Sequence, residues 1–215
     1  MTDQLSKLLR TAPFHLKIGN SANFVVSENY FYKTRTYYSI VRSEVAGTPL
    51  SPSSSEVVEA YVVPVCLMKA RRAGIPVCEW DISSSYVPIP SIVYGLHYYS
   101  DPSEYVVLNS QETSSEVIKY ITHNFKFPFC YQKLSDPSSI ASAVSIFGKT
   151  AYPDDAMAEL AEKVFSAFRI PLVNIVAVST DGGYLLSSLA PIRFSKLSRD
   201  EMRLLEAAVR EGGHG

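Results

Sequence analysis

Few side chains in this 215-residue sequence are placed by type and spacing to do chemistry. The string Phe147-Gly148-Lys149-Thr150 is one that invites a phosphate. A glycine ahead of a lysine and a hydroxyl lets backbone amides wrap an anion while the ammonium meets its charge. A phosphate-binding loop also needs a glycine five residues before the Gly-Lys pair, and Ala143 stands there. It further needs a helix that opens at once, whereas Tyr152-Pro153 intervenes. The string therefore reads as a turn between two elements. Arg42 and Glu44 are the second candidate, alternating at the end of an apolar segment expected to be a strand, Tyr37 to Val41. Ligands of open α/β sheets bind at such strand ends, although an exposed ion pair is the plainer role. Arg42, Glu44, Gly148, Lys149 and Thr150 together are expected to converge on one anion-accepting cleft. Arg42 would offer a bidentate fork and Lys149 a point charge, while Glu44 orients Arg42 or accepts an amine. An amino-acid-like ligand fits that set.

The remaining reactive types form no catalytic pattern. His15, His97, His123 and His214 stand too far apart in sequence for a metal-ligand spacing, so no metal is expected. His123, near a helix end, reads as a surface residue that complements the helix dipole. Cys66, Cys78 and Cys130 lie in apolar contexts without disulfide or zinc spacing. They read as buried free thiols in a reducing compartment, which makes the cytoplasm the expected location. The serines are many, but none sits in a nucleophile elbow. No catalytic residue and no cofactor is assigned from the residues.

Composition narrows the class. The chain is 47% hydrophobic and 19% charged, as soluble globular proteins are. A net charge of −1 gives no electrostatic draw toward nucleic acid or an anionic membrane. The opening MTDQLSKLLRTA has neither the apolar core nor the cleavage site of a secretory signal. The length allows one large domain or two small ones; a single α/β domain over 1–215 is expected, with SDPSS at 135–139 the one plausible sub-boundary.

The elements that must position these groups are organised around residues 53–81. Ser53 and Glu56 have capping-box spacing, and every residue from Ala60 to Met68 is apolar or aromatic. A helix hydrophobic all round is buried or spans a membrane, and Lys69, Arg71 and Arg72 end this one short of a span. A helix over Ser55 to Ala73, kinked at Pro64, is expected; a strand broken at Pro64 is the alternative, favoured by its five valines. Leu5, Leu8 and Leu9 mark a short leading helix, and Phe24 to Val26 a strand. ENYFYKTRTYY is crowded with tyrosines that could stack a base or pack a sheet face. Val77 to Trp80 reads as a strand, SSSYVPIPS as irregular, and Glu104 to Asn109 as a strand before a helix carrying Val117, Ile118, Ile121 and Phe125. Further on, Met157, Leu160, Val164 and Phe168 mark an amphipathic helix, and LVNIVAV an interior strand. Asp181-Gly182 between two apolar runs signals a hairpin, and Ser198 with Glu201 opens a last helix. The fold class is α/β, with α+β the neighbouring option: a mixed sheet covered by helices, closing on a helix, a β-hairpin and a helix.

Strings in the second half resemble the RimK-like ATP-grasp N-terminal domain family. They are Phe147-Gly148 with Thr150, Ile170-Pro171-Leu172, Leu189-Ala190-Pro191, and Leu197-Ser198 with Glu201. Ile40-Val41-Arg42-Ser43 is similar to that family's strand ending in Cys-Arg-Ser, and Ala60 to Pro76 to its helix, turn and strand. Residues 83–139 match nothing in it. The resemblance implies a domain that ordinarily precedes a peptide-forming ATP-grasp module, here expected to stand alone without the nucleotide lysines and magnesium carboxylates of that module. It implies an accessory or ligand-binding domain whose partner is a separately encoded ATP-grasp ligase. The alternative is a small independent enzyme on the same scaffold, binding an anionic amino-acid-like or nucleotide ligand. Self-association into a homo-oligomer is the remaining partner expectation.

Overall fold

Strands β1 (Phe14–Ile18) and β2 (Ala22–Val26) pair antiparallel at the start of the computed structural model. It describes residues 13–18, 22–48, 50–135 and 139–212, so the expected leading helix at Leu5, Leu8 and Leu9 lies outside them. The segment expected as a strand at Tyr37 to Val41 is instead helical, within α1 (Arg35–Val45). Thr34 caps it, its hydroxyl accepting from the Tyr37 amide at 3.1 Å, and Thr36 and Ile40 bury one face at i, i+4 spacing. Cap and period override the strand propensity of Tyr, Ile and Val, which is a weak local preference.

The apolar stretch after Ser53 is helical, as expected, but as two helices: α2 (Ser54–Tyr61) and α3 (Val63–Arg72). Ser53 and Glu56 form the complete capping box on α2. The chain breaks at Val62, whose ψ is 102°, and Pro64 falls in the first turn of α3. Proline is tolerated there because that amide has no intrahelical partner. At the far end Gly74 adopts φ +72°, which closes the helix without a Cβ penalty. The all-round burial expected of this stretch is not observed. Val58 and Met68 are 38% and 42% exposed, while Cys66, Leu67 and Ala70 are fully buried.

The next sheet contains β3 (Trp80–Ser83), β4 (Ser91–Gly95), β5 (Tyr105–Leu108) and β6 (Phe129–Lys133) in the order β3-β6-β4-β5. All its neighbours pair antiparallel. Strands β5 and β6 therefore run the same way on either side of β4, linked through α4 (Gln111–Ile121). This keeps the strand–helix–strand rhythm with a strand inserted between its members. Strand β3 starts at Trp80 rather than Val77, which makes only an isolated bridge to Leu186. Helix α4 ends sooner than its apolar period implied, so Phe125 lies beyond it at φ +62° and 52% exposed.

The last sheet is β7 (Ser139–Ile146), β8 (Leu172–Thr180) and β9 (Gly183–Ala190), in that order and antiparallel. Residues 136–138 of the expected sub-boundary lie outside the described residues. Helix α5 (Asp155–Phe168) is capped by Asp154, and α6 (Arg199–Glu211) by the Ser198–Glu201 box. Asp181-Gly182 forms the two-residue turn of the β8–β9 hairpin, so the closing helix–hairpin–helix is present. Helix α3 is the wedge between the two larger sheets. Cys66 and Ala70 pack in one cluster with Leu160, Ile175 and Leu189, while Val63 and Leu67 pack with Ile92, Tyr94 and Cys130. Helices and antiparallel sheets are thus mixed in an α/β fold. No helix of the described residues is long and apolar enough to cross a membrane.

Candidate functional site

The break between α2 and α3 leaves a cleft of about 280 Å³ against the end of β4. Phe31 and Tyr32, just ahead of α1, form one wall. Tyr61 ends α2, and Val62 to Pro64 form the break itself. Tyr94 and Gly95 finish β4, and Leu96, His97 and Tyr98 continue the opposite wall. Gly95 is demanded by sterics, since a Cβ there would lie 2.9 Å from the Ile121 carbonyl oxygen. Phe31 meets Tyr61 edge-on at 6.2 Å, and Tyr32 meets Tyr98 edge-on at 5.9 Å. Lys33, held at φ +74°, sets its ammonium 3.4 Å from the Tyr98 ring centre. That is cation–π range, and it fixes one positive charge beside the cleft.

Two phenols behind these walls are handled differently. Tyr94 exchanges a 2.7 Å hydrogen bond with Ser187 of β9, tying the two larger sheets together. Gln132 reinforces the tie by donating to the Ser187 carbonyl at 2.9 Å. The Tyr61 hydroxyl is equally buried but has no partner among the described residues. A buried hydroxyl without a partner costs about 1–3 kcal/mol. Burial first, then Tyr30 and Asp101, push the Tyr61 phenol well above its ordinary value. Burial likewise raises Tyr94, against the hydrogen bonds from Ser187 and Ser188. Both phenols stay protonated near neutrality.

A second cleft of about 470 Å³ adjoins the first through Gly95, His97 and Ser100. Asp101, Glu104 and His123 are among its polar groups. The His97 and His123 rings stand 4.1 Å apart. Burial and then His123 hold His97 below its ordinary value, with Glu104 opposing. The Nδ1 atom of His97 accepts from the Tyr99 amide at 3.1 Å, which assigns the proton of the neutral ring to Nε2. His97 is thus a neutral donor on the partition between an aromatic cleft and an acidic one. Among the described residues no three His, Cys, Asp or Glu side chains are grouped to hold a metal ion.

The residues expected from sequence to share an anion site lie elsewhere. Arg42 is exposed on α1, and residues two apart on a helix do not face each other, so it and Glu44 diverge. Glu44 is committed to α2, its two carboxylate oxygens accepting from the Ser54 amide and hydroxyl, each at 2.7 Å. Gly148 turns the chain at φ +81°, and Thr150 accepts from the Tyr152 amide at 3.1 Å. Lys149 is exposed and opens onto a groove to which α1 contributes no residue. Helix α5 begins only at Asp155, so no helix amides face Lys149, in agreement with the turn expected there.

No family model matches the sequence, and no curated protein matches it either. Solved structures do match in fold. A RimK domain ATP-grasp protein from Sphaerobacter thermophilus aligns at a TM-score of 0.57 and 16% identity, over 79% of this chain and 77% of its own. The chain has an ATP-grasp-related fold. D-alanine–D-alanine ligase from Helicobacter pylori aligns at 0.57 and 12% identity, over 80% of this chain and 67% of that one. The ATP-grasp ligase PsnB, in complex with a precursor peptide and AMPPNP, aligns at 0.53 and 14% identity, over 80% and 65%. The likeness thus runs through about two thirds or more of each of these chains, wider than the leading-domain likeness read from sequence strings. Within this ATP-grasp-related fold, the aromatic cleft draws on residues from both expected regions and unexpected ones. Phe31 and Tyr32 belong to the tyrosine-rich string noted above, whereas His97 and Tyr98 come from the stretch that resembled nothing.

Proposed function

We propose that this chain is a ligand-binding module that seats the planar ring of a nucleoside or nucleotide in the aromatic cleft and serves a ligase carried on another chain. The observation that carries this reading is the cleft itself: aromatic walls and the Lys33 ammonium beside Tyr98. Rings stack on rings regardless of the base, worth about 1–3 kcal/mol each. The fold supports a nucleotide rather than another planar ring, because the PsnB structure of related fold holds AMPPNP. Lys33 is the cation for the phosphates, and Asp101 with Glu104 keep them out of the adjoining cleft. An accessory rather than a bond-forming role is supported by the lining, which apart from His97 and Ser100 is aliphatic or aromatic, with the Tyr61 and Tyr94 phenols protonated near neutrality. The setting we assign is cytoplasmic, consistent with three unpaired thiols.

Calorimetric titration of the protein with adenosine, ADP and ATP tests the reading. Adenosine and ADP are expected to bind, ADP the tighter. Lys33→Gln is expected to bring ADP down to the affinity of adenosine. Tyr98→Ala, at a ring 46% exposed and so safe for folding, is expected to weaken both by about tenfold or more. Absence of binding at millimolar nucleotide, or binding indifferent to Tyr98, overturns it.

A further inference from the structure

The turn at Phe147–Lys149 is left over by that function, and it forms one rim of a separate groove of about 320 Å³. The walls are aromatic. Phe24 of β2, Phe147 of the turn and Phe165 of α5 meet pairwise with ring centres 5.3 to 5.9 Å apart. Leu204, Ala207 and Ala208 of α6 form the facing side. A volume near 300 Å³ is at the small end of ligand sites, room for a two-ring molecule.

The rim carries the charge. Arg169 caps α5 in the left-handed region, at φ +59°, where a glycine is the usual residue. Its guanidinium carbon lies 5.1 Å from the centre of the Phe24 ring and 5.3 Å from that of Phe165. Among the described residues it forms no ion pair, and neither does exposed Lys149. Phe147 is also left-handed, at φ +50°, and Gly148 packs so tightly that a Cβ would lie 3.1 Å from that of Phe165. Non-glycine residues in this region cost about 1–3 kcal/mol each and concentrate at ligand clamps. Folding alone explains poorly why two of them border one apolar groove, one bearing a cation within cation–π range of the aromatic wall. Glu211 of α6 also reaches the lining and sets a limit on what binds. It opposes a second negative group near α6 but leaves the net rim charge positive.

We infer that this groove is a binding site for an aromatic monocarboxylate, with the ring system among the three phenylalanines and the carboxylate between Arg169 and Lys149. Arg169 supplies a planar fork and Lys149 a mobile point charge. The site is independent of the aromatic cleft and shares no residue with it.

The test uses 2-naphthylacetate and its uncharged amide as probes, titrated into the full chain and followed by amide NMR shifts. The acid is expected to bind at least tenfold more tightly than the amide and to move the resonances of Gly148, Lys149, Arg169 and Ala208. Lys149→Gln and Arg169→Gln should each erode the preference for the acid while leaving amide binding unchanged. Glu211→Gln should strengthen the acid severalfold. If Arg169→Gln does not fold, Lys149→Gln alone carries the test, because that side chain is exposed. Equal affinities for acid and amide, or shifts confined to other parts of the molecule, overturn the inference.

Discussion

Leu67→Ala should be among the most damaging single substitutions in this chain, and its neighbour Met68→Ala among the least. Leu67 is fully buried, on the side of α3 that meets the four-stranded sheet through Val63, Ile92, Tyr94 and Cys130. Truncating such a leucine removes its transfer free energy and leaves a cavity that the surroundings fill only in part, a cost of about 2–5 kcal/mol. For a domain of this size each kcal/mol shifts Tm by roughly 2–4 °C, so a mid-range loss of about 3 kcal/mol lowers Tm by about 6–12 °C. Met68 is 42% exposed, and its truncation should stay within about 0.5 kcal/mol. Trp80, the single tryptophan, packs against the same cluster and reports urea unfolding directly by fluorescence. A helix buried on all sides would make the two substitutions comparable. Equal losses, or a larger one at Met68, would refute the orientation of α3 as the wedge between the sheets.

Gly148→Ala should cost about 1–3 kcal/mol in urea unfolding, because its φ of +81° and the 3.1 Å approach to Phe165 both exclude a Cβ; a neutral result would contradict the tight turn. Burial pushes the Cys78 thiol up to about 11 and the Cys130 thiol up to about 12, and raises Cys66 as well. All three should therefore resist a thiol-titrating disulfide reagent at pH 8 until denaturant is added, and rapid reaction of any in the native protein would count against the core described here. Stability should also fall on the acid side of neutrality. His97 is held below its ordinary value of 6.5, so the unfolded chain binds more protons between 6.5 and the folded value. The contribution of the neutral ring is whole above about pH 6.5 and declines as pH drops through that window. His97→Gln should flatten this part of the pH–stability curve, and an unchanged slope would show that His97 does not titrate as assigned.

Much of the fold was legible wherever two independent signals agreed. The Ser53 and Ser198 capping boxes and the Asp181-Gly182 turn each combined a terminus or turn signal with apolar residues beside it, and each is present. Residues 37–41 read as a strand from their aromatic and β-branched side chains alone, whose strand preference reflects packing rather than the backbone, whereas the Thr34 cap and the i, i+4 burial of Thr36 and Ile40 make the segment helical. That single inversion turned Arg42 and Glu44 from a strand end into opposite sides of a helix. The candidate site was less legible for a different reason. Its residues are mostly Tyr and Phe, which fill cores as readily as they bind rings, and Tyr61 does both, lining the cleft while packing in the core cluster that holds Tyr30. His97 and Tyr98 sit in a loop with no periodicity to read, and Gly95 gains its meaning from the Ile121 carbonyl, 26 positions away in sequence but 2.9 Å from its absent Cβ.

The most direct measurement is a crystal structure of the protein grown with millimolar ADP. A base is expected between the Phe31–Tyr32 and Tyr98 walls, with the phosphates toward Lys33. An empty aromatic cleft with ADP bound at another site, or with no ADP bound anywhere, would contradict it.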